Sequence, residues 1–173
     1  MSRKILVLTI SVLLILSFSS LVNAQNITLK YGHVERIESP QHQFALYLAD
    51  RVEELTEGRV TIDVYPNAQL GEVSELINSV SSGSVEMGHH VFASLAQVYE
   101  DAAVFGLPYL YRDAEHGLEA TNPGTSPVMQ DINKELADKG NMRVVGAYTS
   151  GYRHLSANFP VYSPEDVKGK KIR

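Results

Sequence analysis

Between Ile27 and His90 the apolar residues switch repeatedly between a period of two and a period near 3.6, and this alternation constrains the fold more than any other feature of the chain. Ile27 to Gly32 has the look of a short strand. Ser39-Pro40 then supplies a helix N-cap followed by proline at the first helical position, where a missing N–H costs nothing. Phe44, Leu48, Val52 and Leu55 fall on one helical stripe with Ala45 and Ala49 beside them, and Gly58 is placed to close that helix. Val60, Ile62 and Val64 alternate with Thr61 and Asp63 as a second strand. The pattern repeats with Val73, Leu76, Ile77 and Val80, with Glu72 in the first turn, Gly83 as a stop, and Val85 to His90 as a third strand. Strand, helix, strand, helix, strand with no hairpin loops predicts an α/β fold with an open, mostly parallel sheet.

Further along, Leu107-Pro108-Tyr109-Leu110-Tyr111 reads as an apolar loop, and Asp113 as the cap of a following helix. Met129, Ile132 and Leu136 mark another helix closed near Gly140, and Arg143 to Tyr148 reads as a strand. Thr149-Ser150-Gly151 is the expected internal boundary. Beyond it, Arg153 to Asn158 reads as a strand, Ser163-Pro164-Glu165-Asp166 as a helix start, and Lys171-Ile172-Arg173 as the beginning of one more strand. That last pattern predicts that the chain is an N-terminal fragment.

The first 24 residues stand apart. Arg3 and Lys4 precede an apolar run from Ile5 to Leu16, and Val22-Asn23-Ala24 offers small side chains for cleavage, the pattern of a secretory signal peptide. No later stretch approaches the ~20 apolar residues of a membrane helix, so the mature protein is expected to be periplasmic and not itself membrane-embedded. The formal charge of −5 becomes −7 once Arg3 and Lys4 leave, an acidic balance that argues against nucleic acid as a partner. With no cysteine, the exported chain must rely on its hydrophobic core rather than on disulfides.

In an open parallel sheet a ligand sits beyond the carboxyl ends of the strands, which makes Gly32 to Glu38, Pro66 to Gly71 and His89 to Ser94 the candidate loops. None carries a phosphate-binding glycine motif, a nucleophile elbow or a zinc motif, so no cofactor and no catalytic residue is assigned. The six histidines lack metal-ligand spacing, and neighbouring His89 and His90 on a strand would point to opposite faces. Arg153 and Arg173 lie in strand-like segments at predicted sheet ends, where a guanidinium matches a carboxylate or forms a structural ion pair.

Five motifs in register then carry a family resemblance: Tyr65-Pro66-Asn67-Ala68-Gln69-Leu70-Gly71-Glu72; Gly83-Ser84-Val85-Glu86-Met87-Gly88; Phe105 to Asp113; Gly151-Tyr152-Arg153-His154; and Ser163 to Arg173. Together they resemble the DctP-type solute-binding proteins of tripartite ATP-independent periplasmic (TRAP) transporters. The resemblance implies a two-lobed periplasmic-binding-protein-like fold that closes on a small organic acid and delivers it to membrane permease subunits driven by an ion gradient. It implies that residues 25–150 form most of the first lobe and 151–173 the hinge crossing and start of the second. Arg173 would be the main carboxylate clamp and Arg153 a second cationic contact. His33, Val34, Glu72, His90, Val91, Phe92 and Ser94 would line the rest of the pocket. Sialic-acid-binding members carry Glu and Arg in the third loop where this chain has Val91 and Ser94, so a smaller mono- or dicarboxylate, or an aromatic or hydroxy acid against Phe92, is the expected ligand. The alternatives are a receptor for an ATP-driven importer or sensor, a secreted hydrolase, and a structural envelope protein.

Overall fold

The structure is a computed structural model and describes residues 26–152 and 154–171. Strand β1 (Ile27–Gly32) leads through helix α1 (Pro40–Leu55) to β2 (Val60–Tyr65), and helix α2 (Val73–Ser82) leads on to β3 (Met87–Gly88). All pairs are parallel in the order β2-β1-β3. The β1–β2 register runs from Ile27 opposite Val60 to Gly32 opposite Tyr65, and β3 joins with Tyr31 opposite Met87 and Gly32 opposite Gly88. Two 3-10 segments (Phe92–Gln97 and Glu100–Gly106), helices α3 (Ala114–Ala120) and α4 (Pro127–Gly140), and a short 3-10 turn (Pro164–Val167) complete the described elements.

Local chemistry sets the helix ends. Ser39 accepts the His42 amide and Pro40 starts α1, while Asp113 and Ser126 cap α3 and α4 in the same way. Gly83 ends α2 in the left-handed conformation, as its position implies. Helix α1 stops sooner than Gly58 suggests: Thr56 caps it, with Glu57 and Gly58 both at positive φ in the turn that follows.

The two helices cover opposite faces of β1, because strand residues alternate sides. Tyr31 packs with Ala45 and Ile62 on the α1 side, joined by Leu29, Leu48, Val52 and Met87. Gly32 turns the other way, where a Cβ would lie 2.8 Å from a Leu76 methyl of α2; at Gly88 it would lie 2.9 Å from the other Leu76 methyl. A second core joins Ile77 of α2 to Leu95, Ala102, Met129, Ile132, Leu136 and Met142.

Three strand expectations need correction. The third strand is two residues long instead of spanning 85–90: the Glu86 carboxylate accepts the Lys30 amide at 2.8 Å and takes up a donor that a longer β3 would have paired. Residues 143–148 form no strand. Val144 is instead gripped by the side-chain amide of Asn133, which accepts its N–H at 2.7 Å and donates to its carbonyl at 2.9 Å, so α4 occupies the edge a partner strand needs. Residues 154–158 are likewise outside regular structure. Arg153, Ile172 and Arg173 lie outside the described residues, as does the expected signal peptide.

Candidate functional site

The strand order β2-β1-β3 places a reversal between β1 and β3, since the chain leaves β1 toward β2 on one side and returns to β3 on the other. In such sheets the crevice beyond these two strand ends is where ligands bind. His33 and Val34 follow β1 there, and His89, His90 and Val91 follow β3. Backbone hydrogen bonds draw the loops together. His33 donates its amide to Tyr65 at 3.0 Å, Asn67 donates to the Glu35 carbonyl at 2.9 Å, Ala68 donates to the His33 carbonyl at 3.0 Å, and His89 donates to the Gly32 carbonyl at 3.4 Å.

Behind this edge lies a cluster of rings. The His33 side chain is buried, stacks on His89 with centroids 4.7 Å apart and planes 16° apart, and places Nε2 3.1 Å from Nδ1 of His42. His89 Nδ1 is 2.9 Å from the Tyr31 hydroxyl, and its ring meets Tyr148 edge-on at 5.6 Å. Tyr148 also packs against Phe44 of α1 at 5.4 Å. His33 Nδ1 and His89 Nε2 are buried without a hydrogen-bond partner among the described residues. The Glu35 carbonyl, which also accepts the Asn67 amide, favours an N–H on the His33 ring.

His33, His89, His90 and the two tyrosines are held toward their neutral forms for physical reasons. Burial, and then the neighbouring His42, hold His33 below the ordinary imidazole range. Burial, then His33 and His90, push His89 down to about 4. Burial also lowers His90, against the opposing effect of its ring nitrogen's contact with the Val91 carbonyl at 3.1 Å. Burial raises both tyrosines, Tyr148 to about 12 with help from the Glu35 charge. The ring cluster behind the crevice therefore offers neutral hydrogen-bonding chemistry.

The expected pocket residues fall into distinct settings. His33 and Val34 share the edge with His90 and Val91, and Val91 is well exposed. Phe92 is half-buried and packs on Phe105 at 5.3 Å and on the second core, so much of its ring surface is occupied. Ser94 is half-buried in the same 3-10 segment. Glu72 is exposed at the head of α2, where its amide donates to the Glu75 carboxylate at 2.9 Å, and no hydrogen bond among the described residues ties it to the other candidates. The sequence reading missed His42, His89, Tyr31 and Tyr148 as a unit. One signal for part of it was present: Tyr31 and His33 are two residues apart, hence on the strand face that meets α1, whose first turn carries His42.

Among the described residues no helix is long and apolar enough to cross a membrane. A solute-binding protein of Roseobacter denitrificans is 32% identical over 155 residues, 90% of this chain and 46% of that protein, and its crystal structure with bound L-galactonate superposes with a TM-score of 0.58 over 67% of this chain and 37% of the other. The sialic acid-binding periplasmic protein SiaP of Vibrio cholerae is 31% identical over 161 residues, 93% of this chain and 49% of its own length. A TRAP periplasmic solute-binding protein of Rhodobacter sphaeroides in an apo, open state matches with a TM-score of 0.75 at 29% identity, covering 86% of this chain and 47% of that one. The chain thus spans about half the length of these relatives. The model of bacterial extracellular solute-binding protein family 7, DctP, matches residues 31–173, most of the chain. This is a family of receptors rather than enzymes, which removes the hydrolase alternative. With the parallel sheet, the β1/β3 crevice and the five motifs in agreement with that match, the chain belongs to the DctP family of bacterial extracellular solute-binding proteins.

Proposed function

We propose that the protein is an extracytoplasmic receptor that binds a small organic acid and delivers it to a TRAP transporter. The observation that carries this reading is the family match through residues 31–173, which takes in the segments of both Arg153 and Arg173. The relatives with stated ligands, L-galactonate in one and sialic acid in the other, bind carboxylates. In this reading residues 25–150 form most of one lobe, and the chain crosses to the second near Thr149 to Gly151. In the same reading Arg173 is the main carboxylate clamp and Arg153 a second cationic contact, both contributed by the second lobe.

The division of labour is electrostatic. Arg173 supplies a permanent, planar cation for bidentate contact with the carboxylate, while His33, Val34, His90 and Val91 present neutral surface to the remainder of the ligand. Glu72, Phe92 and Ser94 are the outer members of the site. Lobe closure excludes water and strengthens the charged contact. With Val91 and Ser94 in the third loop, the ligand is smaller than a sialic acid.

A thermal-shift screen against organic acids identifies the ligand, and calorimetry on Arg173→Lys tests the clamp. Loss of the bidentate contact is expected to cost ~2–5 kcal/mol, tens-fold to thousands-fold in affinity. Undiminished affinity in that variant rules Arg173 out as the clamp.

A further inference from the structure

The ring cluster does more than line a crevice, because it joins five separate parts of the chain. Tyr31 is on β1, His33 begins the loop to α1, His42 is in the first turn of α1, His89 follows β3, and Tyr148 immediately precedes the Thr149–Gly151 segment. The ring-to-ring hydrogen bond from His33 to His42 spans the whole 33–39 loop. That bond holds one proton between two nitrogens. It tolerates a charge on one ring and fails when both rings are charged, since both nitrogens then carry hydrogens.

The surroundings leave little room for charge. His89 and His33 lie face to face, so a charge on one repels a charge on the other. The groups facing them are the Tyr31 hydroxyl from β1, His42 from α1, His90 from the β3 end, Tyr148 from the 142–148 segment, and the Glu35 carbonyl from the loop. The Glu35 carboxylate acts on Tyr148 rather than forming an ion pair with an imidazole. No hydrogen bond among the described residues joins a carboxylate to the three stacked or bonded rings.

We propose that this Tyr31–His89–His33–His42 cluster is an acid-sensitive latch, which positions the 33–39 loop and Tyr148 when its imidazoles are neutral and releases them when protons are driven in. The latch rests on the receptor reading only for its consequence, that acid weakens ligand binding at the crevice. The direction follows from linkage: the folded protein holds His33 and His89 below the ordinary value of 6.5, so the unfolded or opened chain binds more protons. The closed arrangement is fully stable above about pH 7, loses stability as the pH falls below 6.5, and continues to do so toward about 4, where His89 itself titrates.

Imidazole NMR and amide exchange test this without any ligand. At pH 5 the His89 ring of the folded protein should remain mostly neutral, and His33 should titrate below the ordinary value of 6.5. Between pH 7 and pH 5 the protection factors of the His33, Asn67 and Ala68 amides should fall on the order of tenfold more than that of Leu76, whose amide donates to the Glu72 carbonyl at the head of α2. In His89→Phe, which keeps a ring between His33 and Tyr148 but takes no proton, most of that difference should vanish. Titration of both rings near 6.5 with unchanged protection overturns the latch, as does a His89→Phe variant with the full acid response. If that variant fails to fold, the wild-type measurements decide alone. A separate titration with L-galactonate at both pH values tests the link to binding: affinity unchanged by acid while the loop loosens refutes the coupling. No galactonate binding even at pH 7 counts against the receptor reading for that acid and leaves the exchange result standing.

Discussion

Residues 27–88 and residues 142–171 carry similar strand-like patterns, yet among the described residues only the first region forms strands. In the first, β1 has a partner on each side and a helix on each face, and Tyr31, Ala45, Ile62, Leu76 and Ile77 are all buried. In the second, Val145, Tyr152, Leu155 and Tyr162 are all largely exposed, and the regular structure described is the 3-10 turn at Pro164–Val167. The difference teaches that alternation prepares a segment for a sheet without supplying the neighbour whose N–H and C=O groups complete it. The 27–88 unit contains its own neighbours. The 142–171 segment carries apolar side chains suited to an environment that the described residues do not provide.

The largest test of this contrast is Gly32→Val. The Cβ meets a Leu76 methyl that is fully buried and has nowhere to retreat, so we expect a loss of about 3 kcal/mol, at the upper end of overpacking costs. Urea unfolding measures it, and Leu76→Ala in the same background should recover part of the loss. The equivalent change at Gly146, where a Cβ meets nothing within 4 Å, should leave stability nearly unchanged. Equal costs at the two glycines would erase the distinction between a packed and an open region.

The same contrast explains how much was legible in the sequence. Elements from Ile27 to Ser82 could be read because their periods and caps are local, Ser39 before Pro40 and Gly83 after Ser82, although Glu72, expected in the first turn of α2, stands one residue ahead of it as the N-cap. The short β3 could not, because its length depends on which group takes the Lys30 amide, and Glu86 is the one that does. The candidate loops followed from topology, and His33 and His90 within them from the family resemblance. The cluster behind it depends on contacts between residues far apart in sequence, and no spacing rule connects His89 or Tyr148 to His33. Histidine patterns are read for metals, and these rings bind one another.

Asn133 is the second test, because it holds the border between the two regions. Its side chain satisfies both backbone groups of half-buried Val144. Asn133→Ala leaves that N–H and C=O without their partners, and we expect a cost of about 2 kcal/mol, within the range for an unsatisfied buried backbone pair. Asn133→Asp separates the two halves of the grip, since a carboxylate still accepts the Val144 amide and cannot donate to its carbonyl. A smaller loss for Asp than for Ala, read from urea midpoints, would show that the amide bond matters most. No loss in either variant would mean that the segment is positioned by Met142 in the core rather than by this side chain.

The smallest expected effect lies one residue further on. Val145 is 82% exposed, and with so little apolar surface buried, Val145→Thr should change stability by no more than about 0.5 kcal/mol. That near-silence is informative because Val144, its neighbour, is anchored, so the boundary between held and open chain runs between adjacent residues. Measuring the variant both in residues 25–173 and in a longer chain that includes the second lobe sharpens the point. An effect near zero in the first and above 1 kcal/mol in the second would indicate that the apolar side chains beyond Val144 are patterned for a surface supplied by the second lobe. An effect near zero in both would mean that Val145 faces solvent in the longer chain as well, and that its strand-like alternation reflects backbone preference rather than burial.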